Sequence, residues 1–331
     1  MAEKFLSTTF GTVISSFVTS VGNVEIPTDH MMNPTTGLPW TREEVDTLGT
    51  LRVIRGTAPG SQWKKAEEAK SQKALDDADE KAFLAAMAKS VSFACYKDSN
   101  GVVYDANGTK LEANVVTDAQ LSDELIPVRC PHPPTACRIA SLIRQVKSEE
   151  DSIGGTVGCV CTNVPPGLGE PCFDKLEAML AHGMLSLPAT KGFEIGMGFR
   201  ACALRGSQHN DPFEATEKPG GIRPKTNNAG GTLGGISTGA PIVMRVAVKP
   251  VSTIGRAQHT VDFAGHDTVL EAKGRHDPCV LPRTPPLIEA MAALVLADAV
   301  MLQRARIPSN VTVIDDNAAT NKRARQDDAK M

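Results

Sequence analysis

A mixed fold of helices and strands is predicted by three observations on this 331-residue chain. Apolar and small residues alternate over Val13 to Val21, Thr156 to Val164 and Ile242 to Val248, the period of a strand with one covered face. Apolar residues recur at helical spacing over Pro134 to Val146, Phe173 to Met184 and Pro286 to Arg304. Proline and glycine clusters separate these runs, so the elements are many and short. Hydrophobic residues make up 41% of the chain, enough for a sizeable core in one large domain or two smaller ones.

Taken in order, Ala2 to Leu6 reads as the end of a helix leading into the first strand. Pro34 to Leu51 is loop and short helix, with Thr41-Arg42-Glu43-Glu44 as its cap. The character changes from about Arg52 to Gln120. Gln62 to Lys89, rich in Lys, Glu, Asp and Ala, predicts a solvated helix. Val91 to Tyr96, the turn Asp98-Ser99-Asn100-Gly101, Val102 to Tyr104 and Asn107-Gly108 predict one or two hairpins. The whole segment reads as a charged, poorly packed surface excursion.

Cys130-Pro131-His132-Pro133-Pro134 reads as a rigid turn rather than a metal site, since no second ligand pair accompanies it. The helix after it turns Ile139, Leu142, Ile143 and Val146 to one side. In the next helix Pro171 suits the first turn, and Phe173, Leu176, Leu180 and Met184 form the apolar face until Pro188 stops it. Asp174 and Glu177 fall on its polar face, and His182 reads as a core or packing histidine. In the last helix, Leu287, Met291, Leu294, Ala297 and Met301 face a core. Past Pro308 the polar tail is predicted to be disordered, and Lys322-Arg323-Ala324-Arg325 is not a targeting signal.

Composition excludes several classes of function. A net charge of −3 and a pI near 6.2 argue against a nucleic-acid partner, which calls for a basic surplus. Aromatic residues are 4% of the chain, too few for a stacking surface on single strands. Leu287 to Leu302 is interrupted by Glu289 and Asp298 and is shorter than the roughly 20 residues of a membrane span. The first residues lack the features of a secretory signal, so a cytoplasmic protein without a membrane partner is expected. Eight scattered cysteines without paired C-x-x-C spacing predict reduced thiols and no metal.

Function concentrates in the C-terminal half. The run from Thr226 to Gly239 is almost entirely glycine and small polar residues, which wrap a ligand rather than build a core. A Gly-Gly-x-x-Gly-Gly loop can turn several N–H groups toward an anion, although a glycine run by itself also suits a flexible surface loop. The strand that follows ends at Lys249-Pro250-Val251-Ser252-Thr253, and beyond a polar connection lies Lys273-Gly274-Arg275-His276-Asp277-Pro278-Cys279. Three clusters of glycine, cation and hydroxyl bracket one strand and one loop, and predict a shared pocket for a strongly anionic ligand.

Asn227-Asn228-Ala229-Gly230-Gly231, Gly234-Gly235-Ile236-Ser237, Lys249-Pro250, Gly274-Arg275-His276-Asp277-Pro278 and Gly167-Leu168-Gly169-Glu170-Pro171-Cys172-Phe173-Asp174-Lys175-Leu176-Glu177 together resemble the chorismate synthase family. The resemblance covers about residues 1 to 50 and 121 to 307, and Cys130-Pro131 with Asp151 to Gly155 look most like fungal members. It implies an α+β fold of antiparallel sheets enclosing a helical layer. It also implies a lyase that removes phosphate from 5-enolpyruvylshikimate 3-phosphate by anti-1,4-elimination, giving chorismate for aromatic amino acid biosynthesis. Reduced FMN is the implied cofactor, NADPH its reductant in fungal-type members, and a homotetramer the implied assembly.

Carried over by motif, the flavin-contacting positions are Pro188, Ala189, Gly234, Lys249, Pro250, Val251, Ser252, Thr253 and Arg275, and the catalytic position is Asp277. Substrate and cofactor between them bring two phosphates and two carboxylates, which Arg275, Lys249 and the nest at Gly230 to Gly235 are suited to offset. Asp277 beside Arg275 is expected to stay ionised; its structural alternative is an ion pair bracing the loop before Pro278.

The family's Gly-Glu-Ser-His, Arg-Pro-x-His-Ala-Asp and Ser-Ala-Arg-Glu motifs do not occur in this sequence, nor do its two histidines, so the chain is expected to begin mid-fold. The corresponding organisation is residues 1–51 as a remnant of the N-terminal half, 52–120 as a charged insertion, 121–308 as the FMN- and substrate-binding half, and 309–331 as a disordered tail. The alternatives are a catalytically inactive flavin- or anion-binding remnant that assembles with full-length subunits, and an unrelated flavin oxidoreductase.

Overall fold

The computed structural model describes residues 1–54, 95–105, 107–111, 121–216 and 221–306. Its centre is a five-stranded antiparallel sheet in the order β2-β1-β7-β13-β8. These strands are β1 (Val13–Val21), β2 (Val24–Glu25), β7 (Gly155–Thr162), β8 (Thr190–Ile195) and β13 (Ile242–Val248). The three alternating runs of the sequence are therefore the three central strands. The expectation of one covered face fails for β1, in which every residue after Val13 is buried. On one side Ser16 meets the last helix, donating Oγ–H to Pro285 O at 2.7 Å. On the other, a Cβ at Gly158, the partner of Phe17 across the ladder, would touch Met31.

A second sheet, in the order β5-β4-β3-β6, is built from β3 (Thr50–Ile54), β4 (Cys95–Lys97), β5 (Val103–Tyr104) and β6 (Leu121–Pro127). For residues 95–105 it corrects the picture of a loosely packed excursion. Tyr96 is completely buried and its hydroxyl lies 2.9 Å from Ser141 Oγ, while Tyr104 also joins the main core. The predicted turn at Asp98 is present, its Oδ1 accepting the N–H groups of Asn100 and Val102. The predicted helix at Gln62 to Lys89 and the tail past Pro308 lie outside the described residues.

Among the described residues, the α-helices of seven residues or more are α1 (Ala2–Phe10), α2 (Arg42–Leu48), α3 (Pro133–Ser148), α4 (Leu176–Leu185) and α5 (Pro285–Arg306). Helix α1 runs on to Phe10, four residues past the predicted Leu6, and Gly11 closes it in the left-handed conformation. The cap of α2 is as expected, with Thr41 Oγ1 accepting the Glu44 N–H and Glu44 Oε2 accepting the Thr41 N–H. Helix α3 bridges the two sheets. Helix α4 starts later than its pattern suggests: Glu170 N–H donates to Asp174 O and Leu176 N–H to Gly235 O, so Pro171 and Phe173 fall in a tight turn before it. Phe173 is 90% exposed, and His182 is exposed rather than packed.

Helix α5 is longer than expected and turned. At 22 residues it is long and apolar enough to cross a membrane by length and composition, and its inward stripe is Ile288, Ala292, Leu296 and Val300 with Glu289, Ala293 and Ala297. Of the face predicted to be buried, Leu287, Leu294 and Met301 are each more than half exposed. The cause is polar. Glu289 Oε1 accepts the Ser16 N–H of β1 at 2.8 Å, and Oε2 pairs with Arg42 at 2.6 Å. Burial pushes the Glu289 carboxyl above its usual pKa, while the Ser16 N–H and Arg42 hold it down.

The rotation of α5 predicts opposite behaviour at two neighbouring leucines. Leu296→Ala should cost about 2–5 kcal/mol in urea denaturation, and Leu294→Ala no more than about 0.5 kcal/mol. Equal losses at the two positions would contradict this packing.

Candidate functional site

Antiparallel pairing gathers four strand ends at one rim of the central sheet. Val21 faces Gly155, Gly155 faces Val248, and Val248 faces Thr190. The segments running on from those ends are therefore pressed together. A Cβ on Gly154 would sit 2.4 Å from Val248 O, and one on Gly155 would sit 2.1 Å from Ser20 O, so both positions need glycine for lack of room.

Hydrogen bonds then tie the rim across long stretches of sequence. Lys249 N–H donates to Ala189 O at 2.9 Å, Ile153 N–H to Pro278 O at 2.9 Å, and Ser152 Oγ–H to Val251 O at 2.6 Å. Arg256 pairs with Asp151 at 3.0 Å. The N–H of Ser152 and that guanidinium hold the Asp151 carboxyl below its usual pKa.

Most of the residues singled out in the sequence meet here. Ala189, at φ 66, lies in the left-handed region that side chains rarely adopt, with exposed Pro188 just before it. Lys249 is exposed and its Nζ donates to Ser252 Oγ at 3.0 Å. Pro250, Val251, Ser252 and Thr253 continue the same loop, tied down at Val251 O. Asp277 precedes Pro278, whose carbonyl is part of the rim, and exposed Arg275 stands two residues earlier. His276 closes that loop on itself, Nε2 lying 3.0 Å from Ala272 O.

Two expectations are corrected. The partner of Asp277 is Arg283, Nη1 to Oδ2 at 2.6 Å, and not Arg275. The short helical turn Leu281–Arg283 brings Arg283 back to the carboxylate, and Asp277 Oδ1 has no partner in that pair.

The shared pocket is also divided. Glycines 230 to 239 lie at the opposite end of β13, where a Cβ on Gly231 would strike Pro241 O. Seven residues of strand place them about 20 Å from Lys249. Gly234 sits there, in the turn of a hairpin between β11 (Thr232–Leu233) and β12 (Ile236–Ser237). N–H groups expected for an anionic ligand are in part taken by the chain itself: Asp211 Oδ1 accepts Asn228 N–H at 2.7 Å, and Oδ2 accepts Ala229 N–H at 2.9 Å. Arg283, Asp211, Ser152 and Arg256 are the residues that sequence reasoning passed over. Asp211 alone left a signal, as an acid fifteen residues before the glycine run whose Thr226 it bonds.

Among the described residues, no group of three or more His, Cys, Asp or Glu is arranged to hold a metal ion. Cys130, Cys137, Cys159, Cys161 and Cys279 are buried cysteines outside any disulfide, and Cys172 and Cys202 are exposed ones.

The model of the family described as chorismate synthase matches residues 1–301. The chain belongs to the chorismate synthase family. It is 55% identical over 196 residues to the chorismate synthase of Cyanothece sp. (strain PCC 7425), a match covering 59% of this chain and 53% of that one. To the chorismate synthase of Schizosaccharomyces pombe it is 56% identical over 182 residues, covering 55% and 46%. A solved structure titled as the crystal structure of chorismate synthase superposes with a TM-score of 0.53 at 26% identity, covering 91% of this chain and 60% of that one. The α+β class with antiparallel sheets agrees with this neighbour. The chain spans about half the length of the curated relatives it matches.

Asp211 clamps the start of the glycine run at Thr226, Asn228 and Ala229. Burial works against its charged form, but the hydrogen bonds from Thr226, Ala229 and Asn228 outweigh that and lower its pKa. Asp211→Ala strands those donors and should cost about 1–2 kcal/mol at pH 7 in denaturant titration. A depressed carboxyl contributes fully above its unfolded pKa, near 3.8, and loses that contribution as pH falls through the folded value. The gap between wild type and variant should therefore close below about pH 4; a gap independent of pH would contradict the clamp.

Proposed function

We propose that this chain carries out the elimination for which its family is named, releasing phosphate from 5-enolpyruvylshikimate 3-phosphate to leave chorismate, at the rim built by residues 151–155, 188–189, 249–253 and 275–277. The supporting observation is the convergence itself: Ser152 and Val251, 99 positions apart, share a hydrogen bond beside the backbone that carries Asp277.

The rim suits a phosphate-bearing flavin. Lys249 and Arg275 are exposed cations, Ser252 and Thr253 offer hydroxyls, and Gly274 has open space where a Cβ would stand. Reduced FMN, when bound, supplies the transient electron that carbon–oxygen cleavage requires. Lys249, Arg275, Ser252 and Thr253 hold the phosphate and carboxylate groups, while Pro188, Ala189, Pro250 and Val251 present main chain. Asp277, braced through Oδ2 by Arg283, accepts the proton at Oδ1 as phosphate departs. Gly234, at the far end of β13, has no part in the rim of its own chain.

NADPH as the flavin's reductant, a homotetramer and a cytoplasmic location go with this reading. The family match favours an enzyme over a non-catalytic flavin- or anion-binding remnant, and the two separate cleanly by experiment. With photoreduced FMN and substrate, the purified chain should release phosphate and form chorismate in equal amounts. Asp277→Asn should lower that rate at least about 100-fold while reduced FMN still binds. Saturable FMN binding by the wild-type chain with no phosphate release would support the remnant instead.

A further inference from the structure

Asp277 and Arg283 meet near the surface, where an ion pair between flexible side chains fixes little by itself. Arg283 can hold the carboxylate in one orientation only if its own backbone is fixed. That backbone belongs to the short turn Leu281–Arg283, in which Arg283 N–H donates to Val280 O and Thr284 N–H to Leu281 O, each at 3.0 Å. The next carbonyl, Pro282 O, cannot be bonded in the same way. The residues three and four positions on, whose N–H groups would reach it in a helix, are Pro285 and Pro286, and proline has no N–H to give.

Arg129 supplies the missing donor. Its Nη1 donates to Pro282 O at 3.0 Å and its Nε to Asp46 Oδ1 of α2 at 3.1 Å, partners 153 and 83 positions away in sequence. The backbone that carries this guanidinium is strained: φ is 56, in the left-handed region that residues with a Cβ rarely adopt. Arg129 is held there from both sides, its N–H donating to Gly49 O at 3.0 Å and its carbonyl accepting the Val18 N–H at 2.8 Å. A Cβ on Gly49 would stand 2.7 Å from Arg129 Cα, so the end of α2 and this strained residue run in direct backbone contact. One guanidinium thus spans α2 and the turn that carries Arg283.

We propose that Arg129 is a positioning residue for the elimination. Acting through Pro282 O, it fixes the turn that presents Arg283 to Asp277, and with it the orientation of the carboxylate. This rests on Asp277 as the proton acceptor, and the test separates the two. Arg129→Asn removes the guanidinium but keeps a residue that tolerates the left-handed backbone, so the variant should melt within about 4 °C of wild type. In the chain without ligands, hydrogen exchange at the Arg283 and Thr284 N–H groups should be at least about ten-fold faster in the variant, with the amides of β7 and β13 unchanged. With reduced FMN and substrate, kcat should fall about 10- to 100-fold while KM stays within about two-fold. Added to Arg283→Gln, Arg129→Asn should lower kcat no further, because both act through one contact; a merely structural arginine would give losses that multiply. Unchanged exchange in the turn, or multiplying losses in the double variant, would overturn the proposal. Absence of phosphate release by the wild-type chain would instead overturn the role of Asp277, and the exchange measurement would still decide whether Arg129 fixes Arg283.

Discussion

The close passage of backbone at Gly154 and Gly155 is the constraint on which the rest of this structure depends. Two strands and the turn after β13 run past these glycines at distances that leave no room for a methyl group. That closeness lets Ile153 reach Pro278 and Ser152 reach Val251. Without it, the cationic loop at Lys249 and the acidic turn at Asp277 would be separate surface features. Packing at a pair of glycines thus sets the spacing of groups that carry charge.

The charged groups are in turn held by partners away from the rim. Arg283 grips one oxygen of Asp277, Arg256 grips Asp151, and Ser252 steadies the ammonium of Lys249. Fixed orientation matters where ligands bring several negative charges, because donors already in place cost no reorganisation when charge moves. Deeper in the molecule, Glu289 does the corresponding work for the core by tying α5 to β1 and to Arg42.

Much of the fold was legible in the sequence, and the failures have physical causes. Strands β1, β7 and β13 follow from alternation, and α2 from the Thr41 and Glu44 box. The buried face of α5 could not be read. Leu287, Ile288, Met291, Leu294 and Leu296 surround that helix with apolar residues, so periodicity selects no side, and a contact to a strand some 270 residues earlier decides it. Tyr96 and Tyr104 were masked by the charged residues around them.

At the candidate site, the right residues were visible but not their partners. Arg275 lies nearer to Asp277 in sequence, yet the short helical turn delivers Arg283. The glycine run and Lys249 are close in sequence but not in space, because the seven-residue strand between them spans about 20 Å. The most direct test is an anaerobic titration of the chain with reduced FMN and 5-enolpyruvylshikimate 3-phosphate, followed by flavin absorbance, in wild type and in a variant carrying Lys249→Gln and Arg275→Gln. Convergence of these residues on one ligand site predicts a saturable response in wild type that is at least a hundred-fold weaker in the variant. No response in wild type, or equal affinity in both proteins, would contradict it.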